Sequence, residues 1–276
     1  MTYDIDEFYE QEVDQEPTED PAVHRATLEL RAFFKEHPQD VYYENQLCIF
    51  FEHNFYHWVT TRALKAMRMG GEIGSELQQN PPHVTLRFYF HRRNRYWKRR
   101  AAEIRKLVQT FSEQSFTRSL GLQGESMIDA GLPRVGFLPV AADVRSWNGI
   151  AWTETGHDLD RVFTRDGLYY GTEIKNKLSY IDQAEFRAKL AMCKKLELIP
   201  LFVARMMPNT YMKDVNDAGG FALLMKYQFY PYAHLDLART VSAELNLPVD
   251  CPARLNQNTL DRFLNWHSNK LRRTNR

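Results

Sequence analysis

The dipeptide Asp166-Gly167 stands between two stretches that alternate apolar and polar side chains, Asp158 to Thr164 and Leu168 to Lys175. Asp and Gly both tolerate positive φ, which a two-residue hairpin turn of the right twist requires. The segment is therefore expected to be an antiparallel hairpin, and its register follows. With the turn centred between Asp166 and Gly167, Asp160 falls opposite Glu173 and Asp158 opposite Lys175. Side chains alternate faces along a strand, so Asp158, Asp160, Glu173 and Lys175 project on one side. Leu159, Arg161, Phe163, Leu168, Tyr170, Thr172 and Ile174 take the other, which is apolar enough to be core.

Two carboxylates directly across a strand pair have Cβ atoms about 5 Å apart and repel. A divalent cation is the natural compensator. Hard Mg²⁺, or Mn²⁺ in its place, takes carboxylate oxygens, accepts a main-chain carbonyl such as that of Ile174, and keeps several waters. Lys175 would stand beside it as a point charge that orients a water or offsets charge developing on phosphorus. The chemistry so read is phosphodiester hydrolysis, with Asp160 and Glu173 on the metal and Lys175 on the attacking water. Of the twelve lysines, only Lys175 has an acid two positions before it. The plainer alternative is a salt-bridged surface hairpin, with Asp158 against Lys175 and Glu173 in solvent.

The flanking segments supply an order of elements. Asp20-Pro21 reads as an N-cap and first-turn proline for a helix over Ala22 to Lys35, which stops before His37-Pro38. Two more helices are expected at Val41 to His53 and Asn54 to Met69, then a strand at Val84 to Phe90 and a helix at Asn94 to Phe111. Beyond about Ser119 the spacing predicts a short helix opened by Gly124-Glu125, a strand at Val135 to Val140, the hairpin, a helix over Gln183 to Leu196 and a strand over Ile199 to Ala204. Phe221 to Tyr230 reads as an edge strand, and Ala233 to Leu245 and Asn258 to Arg273 as helices.

Asp160 followed after a hairpin by Glu173-Ile174-Lys175 resembles the PD-(D/E)XK nuclease superfamily, and the helix–strand–strand–strand–helix–strand order is similar to that superfamily's core. The resemblance covers roughly Gly121 to Pro208. It implies a restriction-endonuclease-like fold of α/β class, a central mixed β-sheet flanked by helices, here with a mainly helical N-terminal region and C-terminal helices. In many members a glutamate on the first core helix joins the metal site, and Glu125 matches that position, whereas Asp158 would be auxiliary. The function implied is Mg²⁺-dependent endonucleolytic cleavage of DNA, with restriction or defence as the setting and a homodimer as one route to a double-strand cut. A structure-selective or RNA-directed nuclease with the same core is the alternative within enzymes. A nucleic-acid-binding module whose hairpin acids are structural is the alternative outside them.

Charge distribution supports a nucleic-acid partner. The formal net charge is only +1, yet the first 20 residues carry nine acids and no base. Between His91 and Lys106 stand Arg92, Arg93, Arg95, Lys98, Arg99, Arg100, Arg105 and Lys106 against Glu103 alone, with Tyr96 and Trp97 among them, the pattern expected of phosphate contacts beside stacking groups. Lys177, just after the motif, and the C-terminal Lys270, Arg272 and Arg273 are further candidates, with a solvated face as the plain alternative. The division expected is a disordered acidic arm over 1–20, a mainly helical basic region over 21–118, the nuclease core over 119–232 and C-terminal helices over 233–276. No stretch approaches the roughly 18 uninterrupted apolar residues that span a bilayer, and the N-terminus lacks a secretory pattern. Three cysteines, Cys48, Cys193 and Cys251, far apart and without a Cys-x-x-Cys pair, exclude a disulfide framework and fit a cytoplasmic protein.

Overall fold

A computed structural model describes residues 20–80 and 84–274; most of the acidic arm lies outside the described residues. The chain forms two compact units, one ending at Glu113 and the other beginning at Gln114.

In the first unit, Asp20 accepts the Ala22 N–H at 2.8 Å and Pro21 sits in the opening turn of α1, Pro21–Glu36, which ends ahead of Pro38. There follow β1 (Val41–Tyr43), α2 (Glu44–Phe51), α3 (His57–Met69), β2 (Ile73–Asn80), β3 (Val84–His91) and α4 (Trp97–Ser112). β3 pairs antiparallel with both neighbours, giving the order β1-β3-β2. Leu30, Leu47, Leu64 and Tyr89 form the core under the first three helices. The described residues of this region are thus helical for the larger part, with a three-stranded sheet of which the sequence predicts only Val84 to Phe90. Val41-Tyr42-Tyr43 is strand rather than helix because it pairs with Phe88-Tyr89-Phe90, and β2 is too polar to alternate visibly.

The second unit runs α5 (Gln114–Gly131), a 3₁₀ turn at Leu132–Val135, β4 (Leu138–Val144), β5 (Leu159–Arg165), β6 (Leu168–Lys175), α6 (Gln183–Lys195), β7 (Ile199–Ala204), α7 (Asn209–Asp217), β8 (Phe221–Leu224), α8 (Leu235–Leu245) and α9 (Gln257–Thr274). It is an α/β unit with a mixed five-stranded sheet of order β8-β7-β6-β5-β4. β4, β5 and β6 form an antiparallel meander, while β6, β7 and β8 are parallel and joined through helices. The β5–β6 turn has Asp166 at φ 49° and Gly167 at φ 74°, and Arg161 pairs with Thr172 through to Arg165 with Leu168, the register derived from the sequence.

Met127, Ile128, Phe163, Tyr170, Leu201 and Phe263 pack on the sheet face covered by α5 and α9. Val162, Met192, Cys193 and Leu196 pack on the other, under α6. Leu159 belongs to that second cluster and not beside Phe163. The β5–β6 pairing begins only at Arg161, and Leu159 fills the recess over Gly171, its Cδ1 2.9 Å from where a Cβ would stand. The C-terminal helices are part of this unit: α9 stacks Phe263 on Phe137, and His267 hydrogen-bonds both the Tyr170 hydroxyl (2.6 Å) and Asp166 (2.9 Å). Among the described residues no helix is long and apolar enough to cross a membrane.

Candidate functional site

Glu173 lies on the sheet face under α6, level with Phe202 of β7. Gly171, two residues earlier on that face, lets α6 come close: Cys193 Sγ lies 2.9 Å from where a Gly171 Cβ would be and donates to the Gly171 carbonyl at 3.6 Å. The helix starts at Asp182, whose carboxylate accepts the Ala184 and Glu185 N–H groups at 2.8 and 3.0 Å. Glu185, Lys189 and Cys193 then recur every fourth residue and share the face turned to the sheet.

An alternating cluster of acids and ammonium groups results. Lys175 Nζ lies 2.7 Å from Glu173 Oε1 and 2.8 Å from Glu185 Oε1. Lys189 Nζ lies 2.6 Å from Glu173 Oε2 and contacts the main-chain carbonyl of Asp158. Asp160, next along β5, accepts the Ile174 N–H through Oδ2 at 2.6 Å, across the hairpin. Both Glu173 oxygens are buried and face cations, but neither has an aligned hydrogen-bond donor.

Burial governs the electrostatics. Desolvation, reinforced by Asp160, pushes the Glu173 carboxyl up to about 7. Asp160 is also raised by burial, although the Ile174 N–H and the two lysines oppose the rise. Burial works to lower Lys175, yet the charges of Glu173 and Glu185 hold it above the ordinary lysine range. Burial likewise would raise Glu185, but Lys175 beside it holds it below the usual carboxylate range. Desolvation lowers Lys177, which has Glu185 nearby.

Of the residues singled out in the sequence, Asp160, Glu173, Ile174 and Lys175 are brought together. Glu125 is not with them: on α5 it pairs at 3.0 Å with Arg161, which also holds Asp129 at 3.0 Å, on the sheet face away from Glu173. Among the described residues no three His, Cys, Asp or Glu side chains converge on one point. The donor types of Asp160 and Glu173 fit a hard divalent ion, with two acids. Lys189, on a helix whose lysines would ordinarily be solvated, is only 3% exposed. Nothing local in the sequence marks it, since its burial depends on Gly171 across the sheet. Asn176, between Lys175 and Lys177, is a buried strut: its Nδ2 donates to the Leu120 and Phe229 carbonyls at 2.7 and 2.6 Å and its Oδ1 accepts the Phe229 N–H at 2.7 Å.

In the first unit, Arg92, Arg93, Arg95, Lys98 and Arg99 are exposed, and Tyr96 is 79% exposed. Trp97 is stacked on Phe90 at 4.4 Å, so it anchors the start of α4 and leaves Tyr96 as the free ring. Arg99 and Arg100 both pair with Glu103, at 3.2 and 3.3 Å, and Arg92 donates to the Gly71 carbonyl. Lys270 donates to the Gly219 carbonyl at 2.7 Å, and the Arg273 side chain lies outside the described residues.

No protein-family model, no curated protein and no solved structure matches the chain.

Proposed function

We propose that the chain is a Mg²⁺-dependent endonuclease that hydrolyses DNA phosphodiester bonds, built on a restriction-endonuclease-like core. One juxtaposition carries the reading: half-buried Asp160, bonded to the Ile174 N–H, and buried Glu173, the residue before Ile174, with Lys175 at 2.7 Å from Glu173. The order α5, β4, β5, β6, α6, β7 supports it, being the helix–strand–strand–strand–helix–strand order of that core.

Asp160 and Glu173 would hold the ion, Mg²⁺ or Mn²⁺, which when bound supplies a Lewis acid and lowers the pKa of coordinated water. Lys175 is held protonated at neutral pH by Glu173 and Glu185, so it acts as a donor that orients the nucleophile and offsets charge on the phosphoryl group, not as a base. The exposed Arg92, Arg93, Arg95, Lys98 and Arg99, with Tyr96 among them, would contact the phosphate backbone.

A nucleic-acid-binding module with structural acids has one observation in its favour: the cluster is already charge-paired, each Glu173 oxygen facing its own lysine. One experiment separates the two. Wild type and Lys175→Ala are compared on supercoiled plasmid, single-stranded DNA and RNA, with Mg²⁺, Mn²⁺ or EDTA, while binding is followed in parallel. The nuclease is expected to cut DNA only with metal and to lose cutting but not binding in the variant. Binding to nucleic acid without cleavage of any substrate would overturn the enzyme reading.

A further inference from the structure

Lys189 has no part in that mechanism, yet it is the most deeply buried ammonium of the cluster. Its side chain is 3% exposed against 24% for Lys175, and Glu173, its partner, is 1% exposed. Its acceptors come from two places in the chain: Glu173 Oε2 at 2.6 Å, and the main-chain carbonyl of Asp158, whose carboxylate lies 3.9 Å away. Removing one member of a buried ion pair leaves an uncompensated charge, so this contact is costly to break. Lys175 differs. It is more exposed and has Glu185 as a second partner at 2.8 Å, so it can yield Glu173 without losing its counter-charge.

The carboxylate oxygens can be counted on this basis. Asp160 Oδ2 is engaged by the Ile174 N–H, and Glu173 Oε2 by Lys189. Asp160 Oδ1 and Glu173 Oε1 are left for a cation, and among the described residues no third acid converges with them. Two oxygens from two acids, completed by water, suit one hard divalent ion, not two.

We propose that the Lys189 ammonium is a permanent second cation of this site, occupying Glu173 Oε2 so that the site admits a single divalent ion through Asp160 and Glu173 Oε1. The inference rests on the reading of Asp160 and Glu173 as divalent-cation ligands. A lysine in this place supplies fixed positive charge that needs no ion from solution, and it keeps the Glu173 carboxylate from turning. Lys189 is therefore a positioning residue.

Mn²⁺ binding to the full chain, without nucleic acid, tests this by calorimetry and by counting bound ions from the loss of the free Mn²⁺ resonance. Wild type is expected to bind one Mn²⁺, and Asp160→Ala to bind none. Lys189→Met and Lys189→Gln, checked for folding by circular dichroism, should bind the first ion at least about tenfold more tightly, as a like charge has been removed at close range, and should admit a second. Lys189→Arg should keep the wild-type stoichiometry. Two ions in the wild type overturn the proposal without recourse to any variant. So does binding that is lost in Asp160→Ala but unchanged in the folded, uncharged variants, and that result leaves the metal site standing. No Mn²⁺ bound by the wild type, or binding that survives Asp160→Ala, would defeat the metal site itself and this proposal with it.

Discussion

Asp160 accepts the main-chain N–H of Ile174 through Oδ2 at 2.6 Å, so the acid that begins one strand of the hairpin is fastened between Glu173 and Lys175 on the other. The carboxylate thereby has a structural duty that can be separated from a chemical one. Asp160→Ala leaves the Ile174 N–H without its acceptor and is expected to cost about 1–3 kcal/mol in urea unfolding, whereas Asp160→Asn, which keeps an acceptor oxygen, costs less. Both should lack cleavage. Equal stability of the two variants would mean that the hydrogen bond is not what holds the residue.

The raised Glu173 carboxyl gives stability a definite pH sense. Its pKa goes from an ordinary 4.5 to about 7 in the folded chain, so the native state keeps a proton that the unfolded state has released. Stability is then fully present below the lower value and falls as pH rises through the upper one. Thermal unfolding in EDTA of wild type and Glu173→Gln across this window should show the wild type losing on the order of 1–3 kcal/mol relative to the variant as pH increases. Parallel pH profiles would contradict the assignment.

Gly171 lets α6 reach the sheet. A methyl group there would stand 2.9 Å from both Cys193 Sγ and Leu159 Cδ1, too close without movement. Gly171→Ala is expected to destabilise by about 1–3 kcal/mol and to lift Lys189 from Glu173, so that its Mn²⁺ binding changes along with its melting temperature. Wild-type behaviour in both would show that the helix relaxes freely.

Asn176 and Gly124 should behave as a coupled pair. A Cβ on Gly124 would lie 2.5 Å from Asn176 Cβ, while the Asn176 side chain makes three buried hydrogen bonds. Asn176→Ala should cost about 2–4 kcal/mol, because partners at Leu120 and Phe229 are left unsatisfied. Gly124→Ala disturbs the same bonds, so the double variant should cost less than the two single changes added together; strict additivity in chemical unfolding would show them independent.

Arg93 and Arg95 are exposed beside Tyr96. If each meets one phosphate, replacing either by Ala should weaken DNA binding regardless of sequence and should reduce the slope of log affinity against log salt by about 1. An unchanged slope would place the contacts elsewhere.

The hairpin and its flanks were legible because their signals are local. Asp166-Gly167 sets the turn, alternation predicts β6 at Leu168–Lys175, and the apolar, β-branched run predicts β7 at Ile199–Ala204, each as observed. Three expectations fail, each at a short or irregular piece of backbone that periodicity does not register. Val41-Tyr42-Tyr43 is three residues of strand joined to a helical run, too short for a period to show. Phe221 to Tyr230 is not one strand but Phe221–Leu224 and a two-residue strand at Gln228–Phe229, with Lys226 between them at φ 70°. Val135 to Val140 shifts to Leu138–Val144 because Leu132–Val135 winds into a 3₁₀ turn closed by Gly136 at φ 80°. For the site, Asp160, Glu173 and Lys175 follow from register alone. Lys189 and Glu185 do not, because a helix face is assigned only once the glycine it packs against is known. Glu125 illustrates the converse: the short helix it is expected to open is the end of a longer one, Gln114–Gly131, and there Glu125 pairs with Arg161, read from the sequence as an apolar-face neighbour.

His267, on the last helix of the unit, closes over the tip of a hairpin about a hundred positions earlier in the chain, at Tyr170 and Asp166, while Phe263 stacks on Phe137 ahead of β4. Contacts so distant in sequence form late, since the intervening chain must first be brought together. During synthesis the hairpin that bears Asp160 and Glu173, and the helix with Lys189 that pairs with it, therefore leave the ribosome well before the helix that seals the opposite face of the sheet.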